Sequence, residues 1–137
     1  MTVIIDTGVL LAFHNTRDEK HRRAKELIRE AAAGEYGLPY TTDYVFDEVV
    51  TLALIRTGRK DIAYSVGRMI LAENLPKFLF LLRTDERVFK DAWKIFKKMD
   101  KMLSFTDCTI IAAAKIYNIS SVMSFDADFD GLLNRIS

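Results

Sequence analysis

The sequence predicts an α/β fold: a central, mainly parallel sheet with helices on both faces. Short apolar runs alternate with stretches of helical period, the pattern of strand–helix–strand units. One run, Phe78 to Leu82, is apolar without interruption, which suits a strand covered on both sides. The chain has 137 residues, 50% of them hydrophobic and 28% charged, enough for one domain with its own core.

The elements follow in order. Val3, Ile4 and Ile5 run straight into Asp6, which reads as a buried strand delivering a carboxylate to its carboxyl end. Val9 to Phe13 is a short helix ending near His14 and Asn15. Asp18 is suited to cap a helix running to about Ala33, with Ala24, Leu27, Ile28 and Ala31 as its apolar stripe and Gly34 as its stop. Gly37 to Thr41 contains Pro39 and reads as a strand near a sheet edge. Asp43 is the expected N-cap of a helix from Tyr44 to Arg56, apolar all round and therefore well buried, which Gly58 ends. Lys60 to Glu73, bounded by Gly58 and Pro76, is a further helix forming an αα-hairpin with it.

After the Phe78 to Leu82 strand, Thr84 or Asp85 caps a helix to about Met99. Ser104, Phe105 and Thr106 lead into a helix from Asp107 to Tyr117, ended by Asn118. Ser121 to Phe125 is a strand, Asp126 to Phe129 a turn, and Leu132 to Ile136 a last edge strand. No repeat, low-complexity segment or linker interrupts the series.

Composition excludes several classes of function. One cysteine allows no internal disulfide, and with two histidines it makes no cysteine-rich zinc site. No signal-peptide pattern precedes Asp6 and no apolar run is long enough to cross a bilayer, so a cytoplasmic protein without membrane contact is expected. Net charge is +1, but setting aside four of the 19 acids leaves 15 against 20 bases, a remainder of +5. Basic residues cluster around Arg17 to Arg29, Arg56 to Lys60 and Lys94 to Lys101, each cluster also explicable as a solvated helix face.

Asp6 and Asp126 both directly follow strands, so parallel strands bring them to one sheet edge. Helix starts gather at the same edge, where Asp107 and Glu48 reach the crevice. Three of these acids have a structural explanation too. Asp107 stands three residues after Ser104, the spacing of a capping box, while Asp126 suits an Asx turn and Asp6 a cap or turn. Glu48 lies five residues past Asp43 among Val45, Leu52 and Ile55, with no base three or four positions away. Its only bland reading is a side chain snorkelling to the surface. Carboxylates clustered without imidazole or thiolate form a hard-ligand site for Mg²⁺ or Mn²⁺, whose commonest chemistry is phosphoryl or phosphodiester hydrolysis.

IIDTGVLLAF, TTDYVFDEVVTLAL, SFTDCTIIAAA and SVMSFDADFDGL together resemble the four signature blocks of the PIN domain, in order across essentially the whole chain. Within that family the sequence is similar to the VapC-type ribonuclease toxins of toxin-antitoxin pairs. The resemblance implies a single PIN domain over 1–137, built as a three-layer α/β/α sandwich. It implies Asp6, Glu48, Asp107 and Asp126 as a catalytic quartet binding Mg²⁺ or Mn²⁺, with Thr7 and Thr106 supporting the site. Asp128 is a further metal-ligand candidate, because the family's last block often has acids or amides at both positions. The implied reaction is in-line attack of water on an RNA phosphodiester.

The implied partners are RNA, a small antitoxin protein and a second copy of the chain, the Asp61 to Leu71 helix and its neighbour serving as dimer face with the antitoxin tail across the same groove. A housekeeping PIN endonuclease without an antitoxin and a non-catalytic PIN scaffold are the alternatives; the full acidic quartet opposes the second. His14 and His21 have no partner at ligand spacing. Phe89, Trp93 and Phe96 follow helical spacing and read as core or subunit contact rather than as a base-stacking surface.

Overall fold

The computed structural model describes residues 2–73 and 77–137. Its strands are β1 (Thr2–Ile5), β2 (Leu38–Thr42), β3 (Phe80–Leu82), β4 (Ser121–Met123) and β5 (Asn134–Ile136). Its helices are α1 (Thr7–His14), α2 (His21–Ala32), α3 (Asp43–Thr57), α4 (Lys60–Leu71), α5 (Glu86–Lys98) and α6 (Phe105–Ile116), with a 3₁₀ turn at Ala127–Phe129. Every strand pair is parallel and the order across the sheet is β3-β2-β1-β4-β5. Right-handed crossovers then lay α1 to α4 over one face and α5 and α6 over the other, the expected three-layer sandwich.

The middle strand is the most apolar. Val3, Ile4 and Ile5 of β1 are fully buried, each contributing about 1.5–3 kcal/mol of hydrophobic stabilisation. That burial fixes the register of β1, and the register fixes where Asp6 emerges.

Two other strands differ from expectation. Gly37 to Thr41 was expected near an edge, but β2 lies between β1 and β3. Pro39 is tolerated because the β2–β3 pairing begins only at Tyr40, so that neighbour asks nothing of its missing N–H. The Phe78 to Leu82 run, expected to be covered on both faces, supplies the edge strand β3, in which Phe80 is exposed and Leu81 and Leu82 are half-buried. Pro76, expected to close α4 and precede this strand, lies outside the described residues.

Capping explains most shifts of helix boundary. The Asp6 carboxylate accepts the Thr7 N–H, so α1 starts at once rather than at Val9. Asp18 does not cap α2; it accepts the Lys20 N–H in an Asx turn, and Lys20 occupies the cap position. Thr42 rather than Asp43 caps α3, because the Asp43 carboxylate is engaged by the Thr84 N–H and hydroxyl, tying α3 to the approach of α5. Asp85 caps α5, and Ser104 caps α6 through a full capping box with Asp107. Gly58, at φ 65°, ends α3, a conformation glycine adopts without strain.

Two expectations of burial fail. Helix α3 is not buried all round: Val45, Val49 and Ala53 form its buried stripe, whereas Leu54 and Ile55 are exposed. Of the two readings of Phe89, Trp93 and Phe96, core and subunit contact, the structure removes the first, since all three are exposed and Val88 and Ala92 fill the core-facing side of α5.

The α3–α4 hairpin closes at Gly67, where a Cβ would stand 3.3 Å from Val50 Cγ2 and 3.6 Å from the Phe46 ring. Gly67→Val should therefore force the hairpin apart and lower stability by about 1–3 kcal/mol. Urea denaturation would show it as a lower midpoint at unchanged slope. No described helix is long and apolar enough to cross a membrane.

Candidate active site

Strand order reverses between β1 and β4, and at that switch point open α/β sheets form a crevice beyond the strand carboxyl ends. Here the crevice is a cleft of about 620 Å³ lined by Asp6, Glu48, Asp107 and Asp126. The sheet edge thus gathers four acids from four separated segments.

Asp6 leaves β1 with its backbone N–H bonded to the Met123 carbonyl of β4 at 3.0 Å. Its Oδ1 accepts the Thr7 N–H at 2.8 Å and its Oδ2 accepts the Ser124 hydroxyl at 2.7 Å. Capping and cleft lining are therefore both true of Asp6. Ser124 also accepts the Asp126 N–H at 3.0 Å, so one hydroxyl fixes the first and last acids relative to each other. Ser124 is a site residue that sequence reasoning missed; its signal is the S-F-D spacing at the end of the β4 strand.

Asp107 is held by its capping box, with Oδ2 accepting the Ser104 N–H at 3.0 Å. Its other oxygen takes no hydrogen bond among the described residues. Glu48 projects from the middle of α3, half-buried, and its carboxylate has no protein partner among the described residues. None of the four acids enters an ion pair there.

The last pair is separated by position. Asp126 caps the 3₁₀ turn, accepting the Asp128 N–H at 2.9 Å, and lines the cleft. Asp128 is exposed and does not line it; its carbonyl accepts a hydrogen bond from Lys101. Thr7 lines the cleft with a buried hydroxyl that has no partner among the described residues, whereas Thr106 stands outside the lining, its carbonyl accepting the Thr109 hydroxyl. Lys20 and Arg56 also line the cleft, and the basic clusters noted in the sequence give no hint of that placement.

Electrostatics follow from this crowding. Burial is the largest cause raising the Asp6 pKa to about 6, and the charges of Asp107 and Glu48 push the same way against the hydrogen bonds from Ser124 and Thr7. Asp107 is raised as well, chiefly by burial, with the Ser104 contacts opposing and the charges of Asp126 and Glu48 adding to it. Four carboxylates that feel one another, without a cation between them, are a donor set of the hard-ligand kind that suits Mg²⁺ or Mn²⁺. Thr7, next to Asp6 and also lining the cleft, has a buried hydroxyl without a hydrogen-bond partner among the described residues. Among the described residues no three acids, histidines or cysteines already stand in position to hold an ion.

This combination of fold and edge-gathered acids defines a class. A family model for the PIN domain matches residues 3–132, and the chain belongs to that family. Among curated relatives, a VapC ribonuclease of Archaeoglobus fulgidus is 24% identical over 131 residues, covering 94% of this chain and 80% of the relative. The crystal structure of Mycobacterium tuberculosis VapC20, described as a toxin cleaving the sarcin-ricin loop, superposes with a TM-score of 0.79 at 25% identity, covering 93% of this chain and 92% of that one. The VapBC2 structure from Rickettsia felis, bound to a promoter DNA fragment, shares the fold with a TM-score of 0.70 at 13% identity, covering 99% of this chain and 98% of that one.

Proposed function

We propose that the chain is a single PIN domain over 1–137 acting as a divalent-metal-dependent endoribonuclease, the toxin of a toxin-antitoxin pair. The observation that carries this reading is the set of four acids, drawn from four segments to one cleft and free of ion pairs among the described residues. Similarity to a VapC ribonuclease supports the choice of RNA as substrate, and a structural neighbour from Klebsiella pneumoniae that is a toxin-antitoxin complex supports a small antitoxin protein as partner.

Asp6, Glu48, Asp107 and Asp126 would hold Mg²⁺ or Mn²⁺. A bound divalent cation supplies activation of water and neutralisation of charge on the phosphate. The chain's own groups orient the reaction: Ser124 fixes Asp6 against Asp126, Ser104 fixes Asp107, and Lys20 and Arg56 offer positive charge to the flanking phosphates. Pairing of two copies through the exposed Ile55, Tyr64 and Leu71 of the α3–α4 hairpin belongs to the same reading. Sedimentation at high concentration showing only monomer would count against it.

The test is cleavage of an RNA carrying a single 2′-deoxy nucleotide at the mapped cut site. Water as nucleophile does not need the 2′-hydroxyl, so cleavage persists and no product carries a 2′,3′-cyclic phosphate. Cyclic products, or loss of cutting at the deoxy position, would refute hydrolysis at this centre. Within the same assay Asp126→Ala should lose about 100-fold or more in rate, since even groups behind a metal's ligands are worth about 10–100-fold. Asp128→Ala should stay within a few-fold of wild type. Equal losses would give Asp128 a share of the fourth role.

A further inference from the structure

We propose that the hollow between α5 and α6 is a second contact for the substrate, holding the phosphate backbone of an RNA strand that has run on past the acidic cleft. The proposal rests on the nuclease reading and adds where a long substrate lies. The hollow has a volume of about 430 Å³ and is lined by Asp91, Lys94, Ile95, Lys98 and Met99 from α5 and its C-cap and by Lys115 from α6. All three lysines are exposed, and none enters an ion pair among the described residues.

In sequence, Lys94, Lys97, Lys98 and Lys101 form one basic cluster, which the structure divides. Lys97 holds its Nζ 5.8 Å from the centre of the Trp93 ring, and Lys101 donates to the carbonyls of Asp128 and Asp130 at 3.0 and 2.8 Å. Lys94 and Lys98 line the hollow instead, where α6 brings Lys115 to join them. Gathering these charges works against stability, because Lys94 and Lys98 stand four apart on one helix, the spacing at which like charges repel. The helix dipole favours Lys98 and Lys115, each in the last turn of its helix, but it does not account for Lys94 or for the convergence of two helices' charges on one hollow. Asp91 gives no relief: its Oδ2 is buried without a hydrogen-bond partner, and no lysine pairs with it among the described residues. The lining keeps three positive charges against one negative.

A polyanion fits such a lining. It holds no aromatic ring on which a base could stack, so the contact falls on backbone phosphates and is blind to sequence. The cleft brings a polyanion to the same helix, since Lys115 follows Asp107 along α6 by about 12 Å of axis. A long RNA anchored at the cleft presents its further phosphates to the hollow at high local concentration, whereas a short one fills the cleft and stops.

The full chain carrying Asp6→Asn, which prevents cutting, is titrated by fluorescence anisotropy with labelled short oligoadenylate, long oligoadenylate and polyglutamate over a range of salt. Release of counterions from three phosphates adds about 2 to the salt slope. Between about 50 and 200 mM salt, the parent should therefore lose roughly 20-fold more affinity for the long RNA than the same chain with Lys94→Gln, Lys98→Gln and Lys115→Gln. Short RNA should bind both alike, and Lys94→Arg, Lys98→Arg and Lys115→Arg together should restore the slope. In the cutting-competent protein the three glutamines should raise KM for long RNA and leave kcat, and the short substrate, nearly unchanged.

An unchanged slope in the glutamine variant overturns the proposal. So does an equal effect on short RNA, or an equal effect from Lys25→Gln, Lys60→Gln and Lys90→Gln, exposed elsewhere on the surface. Loss of polyglutamate binding with RNA binding unmoved assigns the hollow to an acidic protein segment and also overturns it. Wild-type RNA cleavage is scored separately: metal-dependent cutting without the slope difference removes the second contact alone, and the slope difference without metal-dependent cutting removes the nuclease reading alone.

Discussion

Asp6→Asn is expected to abolish metal-dependent RNA cleavage and, at the same time, to stabilise the metal-free protein at neutral pH. The first effect follows from losing a charged ligand, expected to exceed about 100-fold in rate. The second follows from burial. Asp6 has a pKa of about 6 in the folded protein against an ordinary 3.8, so the folded state binds the proton more tightly than the unfolded chain. Stability from this group is greatest below about pH 4 and declines as pH rises through the window between 3.8 and about 6. Above that window the ionised carboxylate costs about 2–3 kcal/mol, a penalty asparagine does not carry. Asparagine keeps an oxygen for the Thr7 N–H, so the cap of α1 survives the change. Urea denaturation across pH 4 to 7 without metal should show wild type weakening more than the variant. Adding Mg²⁺ should recover wild type and leave Asp6→Asn unmoved. Identical pH profiles would show that Asp6 carries no such penalty.

Phe129→Ala should produce the largest loss of stability. Phe129 is fully buried and ends the 3₁₀ turn that begins after Asp126, and its carbonyl accepts the N–H groups of Leu132 and Leu133 on the way into β5. Truncating a buried phenylalanine costs about 3–5 kcal/mol, a large part of the 5–15 kcal/mol typical of a domain this size. The site should suffer as well, because the ring anchors the turn that presents the fourth acid. In chilled samples still folded by circular dichroism, Phe129→Ala should bind Mn²⁺ more weakly than wild type, with Phe129→Leu recovering part of the loss. Unchanged Mn²⁺ affinity in folded Phe129→Ala would separate the turn from the site.

Much of this was legible in residue patterns because local and global demands agree. The β1 run ending in Asp6, and Ser104 three residues before Asp107, are read from neighbours alone and appear as strand, cap and capping box. Topology then brought Asp6, Glu48, Asp107 and Asp126 together, as a parallel sheet requires. What failed depended on distant partners. Asp43 looked like a cap until Thr84, 41 residues away, claimed its carboxylate. Phe78 to Leu82 looked doubly covered because sequence records apolarity but not which strand ends a sheet. Ser124 is not marked as a site residue by its neighbours alone, since it acts by joining Asp6, 118 positions away, to Asp126. The α5 rings carried helical spacing, and only their exposure and their clustering around Phe105 distinguish a surface from a core.

The most direct test is calorimetric titration of Mn²⁺ into wild type and into Asp6→Asn, Glu48→Gln, Asp107→Asn and Asp126→Asn, with Asp128→Asn as comparison. A shared four-acid centre predicts measurable binding in wild type and in Asp128→Asn, and weakening in each of the other four. Binding that persists undiminished in Asp6→Asn and Glu48→Gln would contradict it.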